Sequence, residues 1–246
     1  MNTYQIHVDT SSLLNISGSN TSPVVSKINS NPFQCSILLG NRHRAFRSAR
    51  LLNAQLPVGF YNIRAPYNTL TLGSTPYTIP PNNYTLPSLI TAVNAAVGST
   101  PFSVPSYSNA IVAYTASSSS YYMTVGSTFG IAQILGFSSG QTLNAATIYS
   151  QNPAFVNFDT YISVFIENIG SSSLEPSQIT YKIPTYPISS NVIYFNEASN
   201  FIQDVKVTDR NARVDRLNIT VLDRFGNILN NNGLDWSFSL QVESDT

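Results

Sequence analysis

The sequence predicts an all-β fold of antiparallel strands, a sandwich or a barrel. Short runs of alternating apolar and polar residues recur along the chain, separated roughly every 8–12 residues by Gly, Pro, Asn and Asp. Charged residues make up only 10%, against the usual ~25%. Ser, Thr and Asn stand in their place, which suits an extended, loop-rich surface better than a helical one. A hydrophobic share of 42%, with 14 Tyr and 13 Phe, supplies a core, so this is not the composition of a disordered chain. A length of 246 residues suits one large all-β domain or two small ones.

The clearest alternation closes the chain. Leu217, Ile219 and Val221 alternate with Arg216, Asn218 and Thr220; Trp236, Phe238, Leu240 and Val242 alternate with Asp235, Ser237, Ser239 and Gln241. A period of two buries one face of a strand and wets the other. Turn residues lie between the runs, Asp223-Arg-Phe-Gly-Asn and Asn230-Asn-Asn-Gly. The two runs are therefore expected as paired antiparallel strands, with the seven apolar residues as the structural core on the inner side of one sheet.

The remaining elements follow in order. Residues 1–33, rich in Ser, Asn and Thr, read as an extended N-terminal arm, either a loose terminus or a segment docked on a partner. Residues 34–246 read as a single domain. A short strand at 35–39 ends at Gly40-Asn41; a strand at 46–56 is basic at its start and half-buried at its end; Pro57 and Gly59 lead out of it. Gly73-Ser74 joins a hairpin. Leu86, Leu89, Ile90, Val93 and Val97 are spaced for an amphipathic helix, with Thr85 as N-cap, Pro87 early and Gly98 as stop. Residues 110–115 and 121–125 read as strands, and 128–135 as a second short helix. Residues 161–169, 179–183, 192–195 and 201–207 read as further strands. The helix-containing part, about 77–137, is an insertion embedded between early and late strands.

The residues that carry chemistry are few. Cys35 is the single cysteine, so no disulfide forms within the chain, which fits a reducing compartment. Met1 is followed by Asn-Thr-Tyr-Gln, so no secretory signal is expected, and no run approaches ~18 apolar residues. His7 and His43 lie beside no nucleophile, and zinc needs more Cys and His than the chain holds. Asp204, Asp209, Asp215 and Asp223 are interleaved with Arg210, Arg213, Arg216 and Arg224, which reads as ion pairs on a wet face rather than as a Ca²⁺ site. Phosphate loops and a Gly-X-Ser-X-Gly elbow are missing. No enzyme, metal or cofactor is expected.

Net charge is zero, so the total calls for neither nucleic acid nor membrane. Its distribution is uneven: residues 1–100 hold Lys27, Arg42, Arg44, Arg47, Arg50 and Arg64 against Asp9 alone. That asymmetry fits a protein whose copies touch one another. Arg42, Arg44, Arg47 and Arg50 are candidate contacts to a neighbouring subunit or to nucleic acid phosphate. The other reading is a solvated strand end that guards a sheet edge. A protein partner suits the zero net charge better than nucleic acid does.

Three stretches resemble a known family. Ala49-Arg-Leu-Leu-Asn-Ala-Gln-Leu-Pro-Val-Gly-Phe-Tyr-Asn-Ile resembles the first barrel strand and exit loop of penton-type minor capsid proteins of virophages, Polinton-like elements and related large double-stranded DNA viruses. Tyr77-Thr-Ile-Pro-Pro-Asn-Asn-Tyr-Thr, the helix through Val97 and Ile134-Leu-Gly-Phe are similar to their strand–helix–strand–helix block. Leu234-Asp-Trp-Ser-Phe-Ser-Leu-Gln-Val-Glu resembles their closing strand. The resemblance implies a single jelly roll, about eight strands in two sheets, with no catalytic site. It also implies a homopentamer at the five-fold vertices of an icosahedral capsid, surrounded by the major capsid protein and minor cement proteins, in particles made in the host cytoplasm or a viral factory. It carries over no particular contact residues, and no Arg-Gly-Asp receptor loop is present. A β-sandwich carbohydrate-binding or fibre-head module is the competing reading, suggested by Tyr121-Tyr122. A major capsid protein of this lineage, a double jelly roll, needs roughly twice one sandwich domain.

Overall fold

The computed structural model describes residues 2–11, 24–38, 46–115, 123–140, 142–143, 147–167, 171–172, 175–176, 179–185, 191–196, 205–206 and 216–244. Two compact units divide the chain: residues 1–60 with 159–246, and residues 61–158. The first unit opens with β1 (Asn2–Asp9), β2 (Val24–Ile28), β3 (Asn31–Leu38) and β4 (Phe46–Pro57). The inserted unit holds β5 (Thr69–Leu72), β6 (Thr75–Thr78), α1 (Leu86–Val97), β7 (Phe102–Ser103), β8 (Ala113–Tyr114), β9 (Met123–Thr124), α2 (Ile131–Ile134), β10 (Thr142–Leu143) and β11 (Ile148–Tyr149). The first unit resumes with β12 (Tyr161–Glu167), β13 (Ser171–Ser172), β14 (Glu175–Pro176), β15 (Ile179–Pro184), β16 (Val192–Asn196), β17 (Val205–Lys206), β18 (Arg216–Leu222) and β19 (Ser237–Ser244).

The first unit is a jelly roll, read from its strand order. One sheet runs β1-β19-β4-β16, and the other runs β15-β12-β18-β3 with β2 on its edge. Every pairing along these paths is antiparallel. If the eight main strands are counted in chain order, one sheet holds the first, eighth, third and sixth. The other holds the second, seventh, fourth and fifth. That interleaving is the double Greek key of a jelly roll. Period-two alternation then fills the space between the sheets. Ile6, Val8, Ala54, Leu56, Phe238, Leu240 and Val242 come from one side, and Phe33, Cys35, Ile37, Ile162, Val164, Ile166, Leu217, Ile219 and Val221 from the other.

Two expectations are corrected here. The 1–33 segment is not an arm where the structure describes it. Asn2 to Asp9 pair residue by residue with Ser244 to Ser237, and β2 pairs with β3. Ile6 and Val8 are a short apolar pair with no turn signal to announce a strand; β19 supplies the missing ladder. The closing runs are not neighbours in one sheet either. β18 lies in one sheet and β19 in the other, so their seven apolar residues, all buried, face each other across the core. Strand β4 forms where residues 46–56 were expected to make one, and it carries a β-bulge. Register shifts between Ser239 and Leu240, so that Ser239 opposes Asn53 and Leu240 opposes Leu51, leaving Leu52 as the extra residue. Leu51, not Leu52, is therefore buried with Ala49.

The connection between β18 and β19 explains the sheet change. Asp223, 2% exposed, turns the chain by accepting the N–H groups of Phe225 and Asn227, both at 2.9 Å. The return makes only one bridge to β18, Leu222 with Ile228, before Leu229 plugs into the core. Buried Asn231 then donates to the Leu234 carbonyl and accepts the Gly59 N–H, which fixes the crossing. A Cβ on Gly59 would lie 2.4 Å from the Asn231 carbonyl oxygen, so only glycine lets the two segments approach.

The inserted unit has its own apolar core, which includes Ile63, Leu70, Leu89, Val93, Phe102, Tyr114, Ile134, Phe137 and Phe158. It is wider than the 77–137 expected. Helix α1 forms where its apolar spacing placed it: Thr85 caps it through the Ser88 N–H, and Gly98 ends it in the left-handed conformation. Asn94 on α1 exchanges two hydrogen bonds with the backbone of Phe102, which ties the helix to β7. Helix α2 is shorter than the 128–135 expected, because Gly130 stands at its N-cap in extended conformation and Gly136 at φ +92° closes it. The Tyr67, Phe129 and Phe158 rings meet at 5.1–5.7 Å, and the Arg64 guanidinium lies over the Tyr67 and Phe158 rings.

Candidate functional site

Two of the four arginines singled out in the sequence, Arg47 and Arg50, lie on β4. Arg42 and Arg44 lie outside the described residues, as do His43, Tyr121 and Tyr122. Arg50, half-buried, stands in register with Gln241 of β19, which in turn opposes Gln5 of β1. Alternation puts these three on the outer face of the β1-β19-β4-β16 sheet. The same face carries Asn53, Gln55, His7, Ser239 and Tyr194. Amides and hydroxyls dominate it.

Two features of that face have defined geometry. The first is a line of hydrogen bonds across three strands: His7 Nδ1 lies 2.8 Å from Ser239 Oγ, and Ser239 Oγ donates to Asn53 Oδ1 at 3.0 Å. This line ties β1, β19 and β4 together across the outer face of the sheet. The second feature is a groove of about 290 Å³ lined by Asp9, Ser11, Gln55, Pro57, Val192, Tyr194, Asp235, Trp236 and Ser237. Tyr194 is 68% exposed, and Asp235 is held by Lys27 at 2.5 Å.

The other residues weighed for chemistry resolve structurally. Cys35 is fully buried on the inner face of β3; desolvation pushes its thiol up to about 12, against a smaller opposing pull from Lys27. Asp223 is buried and organises a turn. Asp204, Asp209, Asp215, Arg210 and Arg213 lie outside the described residues. Among the described residues no group of three or more His, Cys, Asp or Glu is placed to hold a metal ion, and no helix is long and apolar enough to cross a membrane.

No family model matches this chain, and neither does any curated protein. Among solved structures the chain is similar to the mavirus penton protein, known from a crystal structure of its selenomethionine-labelled form. Identity is 13%, the match covers 98% of this chain and 100% of that one, and the TM-score is 0.42.

Sequence reasoning missed the most distinctive feature of the inserted unit. Residues 61–158 contain one charged side chain, Arg64, and no histidine. All other Lys, Arg, Asp and Glu residues fall in the first unit. Arg64 donates to the Tyr61 carbonyl at 2.9 Å and stacks over two rings, so its charge is engaged within the unit. The signal was present in the composition, but it appears only when charge is counted between the boundaries of the folded unit. The inserted unit also carries a groove of about 400 Å³, lined by Pro66, Thr69, Thr71, Thr128, Phe129 and Gln133 among others.

Proposed function

We propose that this chain is the vertex (penton) protein of an icosahedral capsid of a double-stranded DNA virus, assembling as a homopentamer and seated against the major capsid protein. The observation that carries the reading is a coincidence of fold and sequence. The strand order is that of a jelly roll, and the three penton-like stretches fall on two of its strands and on the inserted unit. These are β4 with its exit loop, the β6–α1–α2 block of the insertion, and β19. A subunit of this kind acts by shape, so it needs a stable sandwich and a surface able to pair with neighbours. The outer face of the β1-β19-β4-β16 sheet, rich in amides and hydroxyls, suits the polar, wet contacts between assembling subunits. Arg42, Arg44, Arg47 and Arg50 are assigned to contact with an acidic neighbouring protein, where guanidinium forks bind carboxylates in pairs. Minor cement proteins are further partners in the virion.

Co-expression with the major capsid protein, followed by electron microscopy, tests this. Five-fold rings and occupied vertices are expected. A chain that stays a dilute monomer by light scattering and is excluded from shells overturns the assignment.

A further inference from the structure

The inserted unit carries a single charged side chain, Arg64, and it presents two tyrosines where a core would hide them. Tyr107 is 72% exposed and Tyr149 48%. Their ring centroids are 6.3 Å apart, with the planes at 57°. The two residues are far apart in sequence, and ordered backbone brings them together. Tyr149 is in β11, opposite Ala113 of β8. Tyr107 sits in a turn closed by the Ser108 N–H on the Pro105 carbonyl, and the Ser108 hydroxyl accepts the Ala110 and Ile111 N–H groups. Ser150 N–H to the Val112 carbonyl and Ala154 N–H to the Ala110 carbonyl lock the two segments to each other. The rings thus stand on a preformed support, which lowers the entropy cost of binding anything to them.

Exposed residues close to the pair in sequence include Ser106, Asn109, Gln151, Asn152 and Phe155. Gln151 is itself held, donating to the Tyr149 carbonyl and accepting the Ser138 N–H. Exposed aromatic faces on a unit whose sequence holds a single charged side chain match a ligand that has apolar C–H faces and neutral hydroxyl edges. We infer that the Tyr107–Tyr149 pair is a binding platform for neutral glycans, a function separate from capsid assembly. The chemistry also says which glycans are refused. Sialylated and sulphated sugars need a cation to meet their charge, and the unit's one cation, Arg64, already serves the Tyr61 carbonyl and two rings. The Tyr107 phenol is raised above its ordinary value by desolvation and then by its hydrogen bond with Tyr149. With no ion pair at stake, binding is insensitive to salt.

The test is an array of immobilised oligosaccharides probed with the full chain. It carries neutral arms (galactose-, glucose-, mannose-, fucose- and N-acetylglucosamine-terminated) beside sialylated and sulphated arms. Expected is binding to one or more neutral arms, equal within about twofold at 0.05 and 0.5 M NaCl. Tyr107→Ala and Tyr149→Ala should each weaken it at least tenfold, while Tyr149→Phe, which keeps the ring, retains most of it. Both positions are exposed, and unchanged circular dichroism and melting of the variants verify their fold. A blank array, binding confined to sialylated or sulphated arms, or alanine variants that bind like the parent overturns the inference. So does an outcome in which the alanine variants change only the oligomeric state by light scattering, because the pair would then be a contact between copies. Capsid incorporation of the alanine variants, measured separately, should be unchanged, so the fate of this inference is distinguishable from that of the penton assignment.

Discussion

Replacing Trp236 by alanine should unfold the sandwich unit at a markedly lower temperature. Trp236 is 2% exposed and enters β19 at the point where the chain has crossed between the sheets. Its ring stacks on Phe238 at 4.5 Å and meets Phe33 of the opposite sheet edge-on at 5.9 Å. Its indole Nε1–H donates to the Pro32 carbonyl at 2.7 Å, and its backbone exchanges bonds with Thr10 at the end of β1. One side chain therefore joins both sheets. Truncating a buried Trp to Ala costs about 3–5 kcal/mol, a large share of the ~5–15 kcal/mol that holds a domain together. At roughly 2–4 °C per kcal/mol for a unit of this size, Tm should fall by about 6–20 °C. Trp236→Phe separates packing from hydrogen bonding. It keeps a ring against Phe33 and Phe238 but leaves the Pro32 carbonyl without its donor, a loss of about 1–3 kcal/mol. Far-UV circular dichroism during heating, with urea titration as a second measure, reads both variants. A Trp236→Ala protein melting within about 2 °C of the parent would refute the claim that this ring joins the sheets.

Further outcomes follow from the same geometry. Gly59→Ala forces a Cβ against the Asn231 carbonyl and the Leu234 side chain, and should cost about 1–3 kcal/mol in a urea titration. Asp223→Ala strips the acceptor from two turn N–H groups and should lose a similar amount, about 1–3 kcal/mol, with the β18-to-β19 crossing exchanging amide hydrogens faster. Burial raises the Cys35 thiol from 9.0 to about 12 in the folded state, so the unfolded chain sheds its proton first. Stability should be flat in this respect below about pH 9 and fall by about 1.4 kcal/mol per pH unit above it; Cys35→Ala should remove that slope. Glutamate at Arg42, Arg44 and Arg47 together should weaken pentamer formation and reverse its salt dependence, as read by analytical ultracentrifugation at low and high NaCl.

Some of this architecture is local, and local information suffices for it. Helix α1 is legible because its cap, apolar spacing and terminating glycine all lie between residues 85 and 98. The hairpin of β5 and β6 is legible for the same reason, with Gly73 at φ +60° in its turn. Strand β1 is not legible. Ile6 and Val8 are too few to announce a strand, and its hydrogen bonds come from β19, more than two hundred residues away in sequence. The bulge at Leu52 likewise belongs to a register set by β19, which no reading of β4 alone could supply. The candidate sites divide in the same way. The arginine run is visible in sequence as a cluster. Tyr107 and Tyr149 become a pair only through the pairing of β8 with β11 and the bonds that dock their loops.

By itself the sequence determined which side chains turn inward: Leu217, Ile219, Val221, Trp236, Phe238, Leu240 and Val242 are all buried. Alternation depends only on the pleat of the strand carrying it, so it is written into consecutive residues. Only the tertiary structure decided that β18 and β19 belong to opposite sheets. An apolar face is satisfied equally well by either sheet, so alternation cannot choose between them. The choice is made by Asp223, Leu229, Asn231 and Gly59, whose contacts carry the chain from one sheet to the other. The same boundary-setting exposed an insertion with a single charged side chain. Its composition was always in the sequence, but only folding shows which residues share a surface.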